Sequence, residues 1–327
     1  MHWIDGHLDL AYLAVNGRDM RQEISDPTTG CISLPAIRAA NIEIAFGTIF
    51  TEPGVFGPEH PHAYPASDDA DAAEAVGFRQ LETYERWQAA GELSIVRGAA
   101  DLSGTGPTPK TIILMEGADP IRSPEHVQRW FDRGVRIVGM TWAAGTRYAG
   151  GNTNGGPLTP MGVEFIQALD AVGMIHDASH LGDDAFDGLM ANAKGSIIAS
   201  HSNCRALLEP RQRHLRDDQI KAIGERSGVI GLNLYSAFLA KGRRATIADC
   251  VAHLQHVADV MGHRRGVGLG SDMDGGFGPS ALPEGLDHPS KLPALAEALG
   301  TAGWSDEDIV GFANQNWRRF LMRALPS

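Results

Sequence analysis

Short, almost continuously apolar runs alternate along this chain with longer stretches in which apolar residues recur at helical spacing. Eight such runs fall near residues 3–8, 42–51, 111–116, 135–142, 174–179, 196–201, 228–234 and 266–271. Runs that are apolar throughout predict parallel strands covered by helices on the outside. Helices are predicted at 67–90, which opens on a Ser-Asp-Asp cap, and at 123–133, 160–171, 183–193, 217–226 and 246–261. Ser290–Ala324 predicts two further helices that close the structure. Strand alternating with helix eight times predicts a closed (β/α)8 TIM barrel more than an open doubly wound sheet, and 327 residues suit such a barrel with loop insertions. No composition shift marks a boundary, so 1–327 is expected to form a single domain. Two low-complexity loops, Pro53–Pro65 and Ala143–Pro160, follow the second and fourth runs. Both would emerge at the carboxyl-terminal face, where they would shape a pocket or serve only as mobile surface.

The polar residues that end these runs carry the candidate chemistry. His7 and Asp9 follow the first run, Glu116 the third, His180 the fifth and His201 the sixth. His7 and Asp9 stand two apart, so on an extended backbone both side chains would enter the barrel. Imidazoles and carboxylates without thiolates suit zinc, with manganese or cobalt as alternatives. Five ligands are too many for one tetrahedral ion that keeps an open position. They suit two ions if Glu116 bridges, and two ions about 3.5–4 Å apart would hold a bridging hydroxide and polarise a carbonyl. Asp272 ends the eighth run and could take a proton from the attacking water and pass it to a leaving amine. Asp274 has the same parity and is expected to support that site from further along the loop. By alternation His176 should also face inward, lower in the barrel, as a hydrogen-bonded core histidine. His60 and His62 are expected at the surface, and His214 in a charged turn.

Composition narrows the partners. A net charge of −12 argues against nucleic acid, which needs clustered lysine and arginine. The pairs Arg243-Arg244, Arg264-Arg265 and Arg318-Arg319 are expected on solvated faces. Cys31, Cys204 and Cys250 lie far apart without CxxC spacing, which fits free packing thiols in a reducing compartment. No run approaches the roughly 20 apolar residues of a membrane span, and no secretion signal is visible, so a cytoplasmic location is expected.

The motifs together resemble the membrane (renal) dipeptidases, binuclear zinc enzymes of the amidohydrolase-type barrel. The matching segments are Asp5-Gly6-His7-x-Asp9-Leu10, Met115-Glu116-Gly117, Gly134-Val135-Arg136, Leu158-Thr159-Pro160-x-Gly162, Asp177-x-Ser179-His180, Ser200-His201-Ser202, Arg205-Ala206-Leu207, Asp217-Asp218, Gly270-Ser271-Asp272-x-Asp274-Gly275, Pro283-Glu284-Gly285-Leu286 and Asn316-Trp317. The resemblance implies one zinc on His7, Asp9 and Glu116 and a second on Glu116, His180 and His201. It implies Asp272 as proton shuttle, and Arg213 with Tyr235 as anchors of the substrate's free carboxylate. It also implies a homodimer. The chain departs from the family where the fourth strand usually ends in Thr-His: here it has Thr141-Trp142, so Trp142 meets the substrate where a histidine normally would. An indole cannot accept a hydrogen bond or carry charge. Leu8 replaces a common asparagine, and His214 and Arg216 replace the usual Asn and Pro near the carboxylate anchor. The expected function is hydrolysis of dipeptides with a free carboxylate by metal-bound hydroxide. The alternatives are a zinc amidohydrolase acting on N-acyl amino acids or cyclic amides, and a non-catalytic binding barrel.

Overall fold

The structure, a computed structural model, describes residues 1–54, 60–104, 106 and 108–327. All eight expected strands form: β1 (Trp3–Leu8), β2 (Ile42–Phe50), β3 (Lys110–Glu116), β4 (Val135–Gly139), β5 (Ile175–Asp177), β6 (Ile197–Ile198), β7 (Ile230–Leu232) and β8 (Val267–Leu269). They are parallel, in the order β7-β8-β1-β2-β3-β4-β5-β6, and a parallel bridge from Ala199 to Ile230 brings the two ends together. A short strand, Ser94–Ile95, adds to the edge of β3.

The helices wrap this barrel as α1 (Leu10–Val15), α2 (Leu34–Ala39), α3 (Ala70–Ala89), α4 (Val127–Asp132), α5 (Pro160–Val172), α6 (Asp183–Asn192), α7 (Asp217–Glu225), α8 (Ile247–Met261), α9 (Leu292–Thr301), α10 (Asp306–Val310) and α11 (Asn316–Ala324). The two short helices α1 and α2 were not signalled by periodicity, being under two turns each. The expected closing pair becomes three helices, because a π-helical turn at Gly311–Gln315 separates α10 from α11. Among the described residues, no helix is long and apolar enough to cross a membrane.

Among the described residues, two apolar clusters form the main cores. A large one lies between strands and helices. A smaller one fills the barrel with Ile4, Ile44, Phe46, Ile112, Leu114, Ile137, Ile175 and Ile198, and α11 inserts Trp317 and Phe320 beneath it. Trp317 is fully buried and donates its indole N–H to the Leu269 carbonyl at 2.9 Å. The fit requires Gly268, where an added Cβ would fall 2.2 Å from the indole nitrogen. Arg318, expected in solvent, instead joins α11 to the barrel by donating to Glu43 at 2.6 Å and to the Leu102 carbonyl at 2.9 Å. Arg244 and Arg264 likewise hold structure, on the Leu282 carbonyl and on Asp308.

Strict alternation fails at two places. In β1, Gly6 faces the interior towards Trp317 and Ser200, and a register shift between Asp5 and Leu8 then turns His7 towards the barrel mouth. Asp9 lies beyond the strand, as the residue before α1. In β5, Ile175 takes the interior, so His176 points outward and binds Asp170 of α5 at 2.8 Å. His176 is therefore a hydrogen-bonded core histidine as expected, but on the opposite face of the sheet. The parity argument broke because His180 adopts a left-handed backbone, φ 64°, which uncouples it from the strand below.

Truncating the plug tests the lower core. Trp317→Ala should destabilise the protein by about 3–5 kcal/mol, read from the midpoint of urea unfolding, with an unchanged midpoint excluding this role.

Candidate metal centre

Strand ends deliver the candidate side chains to one point at the barrel mouth. Nε2 of His7 lies 3.5 Å from Oε2 of Glu116 and 3.7 Å from Oδ1 of Asp9. On the other side of the same carboxylate, Oε1 of Glu116 lies 3.1 Å from Nε2 of His180 and 3.2 Å from Nε2 of His201. The rings of His7 and His201 stack with centroids 3.6 Å apart. Asp272 faces this group, and the donor atoms of His7, Asp9 and Asp272 form one compact cluster, those of His7, Glu116 and His201 another.

The surrounding hydrogen bonds fix which ring nitrogen faces inward. The Ser200 hydroxyl donates to Asp177 at 2.5 Å, so its oxygen is left to accept from Nδ1–H of His201 at 2.8 Å. Nδ1 of His180 lies 2.9 Å from Oδ1 of the Asn152 side chain. Both Nε2 atoms thus present lone pairs inward, and they stand 2.9 Å apart. Two facing lone pairs repel unless a cation or proton lies between them. Nε2 of His7 is buried with no hydrogen-bond partner. An unpartnered buried nitrogen, two opposed imidazoles and a shared carboxylate fit divalent cations bound by nitrogen and oxygen.

Local backbone is strained where the chemistry sits. His180 and Asp272 are both non-glycine residues in the left-handed region, at φ 64° and 58°. Asn233 donates to Oδ2 of Asp272 at 2.9 Å, and Gly275 is needed because a Cβ there would fall 1.9 Å from Oδ1 of Asp272. Thr48 donates to Asp9. Of these supports, Ser200 lies in a segment that carries the family resemblance and Asn233 at a strand end, whereas Asn152 and Thr48 carry no signal in the sequence. Asn152 also shows that the Ala143–Pro160 loop folds back over the site, bridging Gly151 to Leu181.

The remaining expected residues divide. Arg213 is buried beside the centre, donating to the His201 carbonyl at 2.7 Å and to Ser202 Oγ at 3.1 Å, with its Nε unpartnered. Its guanidinium stacks over Phe238 at 5.2 Å. Tyr235 and Trp142 line the cavity above the centre, about 370 Å³ in volume, together with Tyr12, Phe50, Glu52 and Phe277. Asp274 does not support the site: it accepts from the backbone N–H groups of Cys31 and Ile32 and from Arg18, anchoring the loop after α1. His62 is buried rather than superficial, packed on Tyr12 and bonded to Asn16. His214 is buried too, and burial followed by the Arg213 charge pushes it down to about 3. The three cysteines are buried and unpaired, and burial pushes the Cys204 thiol up to about 12. The Pro53–Pro65 loop falls partly outside the described residues.

A parallel barrel with a buried histidine–carboxylate cluster at its carboxyl-terminal mouth belongs to the class of metal-dependent hydrolases. The sequence model of the membrane dipeptidase family, peptidase family M19, matches residues 1–325, and the chain belongs to that family of metal-dependent dipeptidases. An uncharacterized Klebsiella pneumoniae protein from the pqqA 5′ region is 34% identical over 208 residues, covering 60% of this chain and 74% of that one. Against several further curated relatives the match spans about half of their length. Among solved structures, the dipeptidase AC, a metallo peptidase of family M19, is 25% identical with a TM-score of 0.85, covering 100% of this chain and 99% of that one. A Rhodobacter sphaeroides metallo peptidase liganded with a phosphinate mimic of the dipeptide L-Ala-D-Ala shares the fold, with 24% identity, TM-score 0.85 and 99% of each chain covered.

Protonation supplies a test of cation binding. Burial alone would lower His7, but Glu116, then Asp9 and Asp272, outweigh it and raise it to about 10. Burial raises the Asp272 carboxyl, His7 opposes that, and Asp9 and Glu116 add to it. His7 therefore holds a proton in the metal-free protein, and a cation bound to its Nε2 must displace it. Zinc uptake should release protons, and affinity should fall as pH drops. Calorimetry in two buffers of different ionisation enthalpy reads the count, and zero protons released would contradict the assignment.

Proposed function

We propose that the centre holds two zinc ions bridged by Glu116, one also on His7 and Asp9 and the other also on His180 and His201, and that it hydrolyses dipeptides bearing a free carboxylate. The observation that carries this reading is the approach of imidazole nitrogens to both oxygens of one buried carboxylate, His7 to Oε2 and His180 with His201 to Oε1. When bound, such ions supply Lewis acidity that polarises the scissile carbonyl and lowers the pKa of water.

The chain's own residues would do the rest. Asp272, held by Asn233, takes a proton from the attacking water and passes it to the leaving amine. The water's oxygen joins the carbonyl carbon, the C–N bond breaks, and the amine leaves neutral. Arg213 and Tyr235 anchor the terminal carboxylate from the β6 and β7 side. The unpartnered Nε of Arg213 leaves donor capacity for a carboxylate oxygen. Trp142 stands edge-on to Phe50 with centroids 5.1 Å apart, and forms an apolar wall where the family's histidine would offer a hydrogen bond. That wall is the feature that favours the second reading, hydrolysis of N-acyl amino acids or cyclic amides.

Turnover of zinc-loaded protein on L-L and L-D dipeptides, N-acyl amino acids and cyclic amides separates the two. Cleavage confined to free dipeptides supports the first reading; cleavage confined to the others supports the second. Asp272→Asn should retain the metal yet lose turnover by about 10²–10⁴-fold, and full activity at full metal content would reject the shuttle. Arg213→Ala should mainly raise KM for substrates with a free carboxylate, and an unchanged KM would assign that contact elsewhere.

A further inference from the structure

The cavity above the centre is lined on one side by a carboxylate that the hydrolytic reading does not use. Glu52 follows β2, while Arg213 and Tyr235 follow β6 and β7. In the eight-strand ring β2 and β6 are four strands apart, so Glu52 faces the carboxylate anchor across the mouth. A substrate held by its carboxylate at β6 and β7, with its scissile bond over Glu116, therefore directs its amino-terminal residue towards Glu52.

Glu52 is poorly neutralised. Among the described residues no lysine or arginine pairs with it, and its ion-pair contact is Nε2 of His62 at 3.7 Å. Burial, and then His60, push His62 down, so that contact is with a neutral ring. Burial raises the Glu52 carboxyl, and the neighbouring His60 opposes that rise. The side chain is 31% exposed, enough to meet a ligand and too enclosed to be fully hydrated. Aromatic rings share this wall of the cavity with it: Tyr12, Phe50 and Trp142 also line it, with Phe50 5.7 Å from Tyr12 and 5.1 Å from Trp142.

A carboxylate set among aromatic rings suits a cation on an aliphatic stem. The ring faces attract the charge and cover the methylenes, and the carboxylate pairs the head group. A substrate's α-ammonium lies two bonds from the scissile carbon and stays over the centre, whereas a lysine or arginine side chain reaches the wall. We propose that Glu52 selects dipeptides whose amino-terminal residue carries a basic side chain. The proposal rests on the dipeptidase reading of the centre.

The test compares kcat/KM of zinc-loaded wild type and Glu52→Gln on lysyl-alanine, norleucyl-alanine and N-acetyl-lysyl-alanine. Wild type should prefer lysyl- over norleucyl-alanine, and Glu52→Gln should reduce that preference by about ten- to a hundred-fold. An equal ratio in both proteins overturns the proposal. A loss of equal size on lysyl- and norleucyl-alanine, absent on the N-acetyl substrate, also overturns it and assigns Glu52 to the α-ammonium. Wild type that cleaves no dipeptide sinks the dipeptidase reading instead. The selectivity is then judged by calorimetric affinity for lysyl- against norleucyl-alanine, and equal ratios in the two proteins overturn it.

Discussion

The whole upper half of this barrel depends on the crowding of ionisable groups around the Glu116 carboxylate. Three imidazoles and three carboxylates meet there, most of them buried and the others lining the cavity at the barrel mouth. Inward lone pairs on His180 and His201 stand 2.9 Å apart, and Nε2 of His7 has no hydrogen-bond partner. Without a metal, the positive charge comes from the proton that Glu116 and Asp9 hold on His7, and the facing lone pairs of His180 and His201 remain costly. The scaffold must therefore hold the cluster together by force from outside.

That force is visible in the contacts behind each side chain. Ser200 and Asp177 fix one imidazole, Asn152 another, Thr48 holds Asp9, and Asn233 holds Asp272. Strained backbone at His180 and Asp272 is sustained because strands and loops on every side over-determine it. Below, α11 seals the barrel with Trp317, so the strands that carry these residues rest on a packed floor. Stability and chemistry thus occupy opposite ends of one sheet, as in other barrels of this architecture.

The barrel was legible because buried parallel strands need continuous apolar runs and covering helices need 3.6-residue periodicity. The residues gathered at its mouth were legible because each closes such a run: Glu116 ends β3 directly, and His201 follows β6 by three residues. Parity was a weaker guide. A register shift in β1 turns His7 to the mouth, and a left-handed residue after β5 brings His180 there while His176 points outward to Asp170. The residues that support the cluster from behind were less legible. Asn152 comes from a glycine-rich loop whose course depends on close backbone approaches, such as that of Gly151 to the Trp142 carbonyl. Asp274 shares the parity of Asp272, yet its left-handed backbone sends it to the loop after α1. Glu52 has no motif, and its interest arises only from what faces it across the cavity.

Anomalous diffraction at the zinc edge from crystals of the zinc-loaded protein tests the central claim most directly. The account predicts two peaks about 3.5–4 Å apart, flanking the Glu116 carboxylate, with His7 and Asp9 at one and His180 and His201 at the other. A single peak, or two peaks that do not share Glu116, would contradict it.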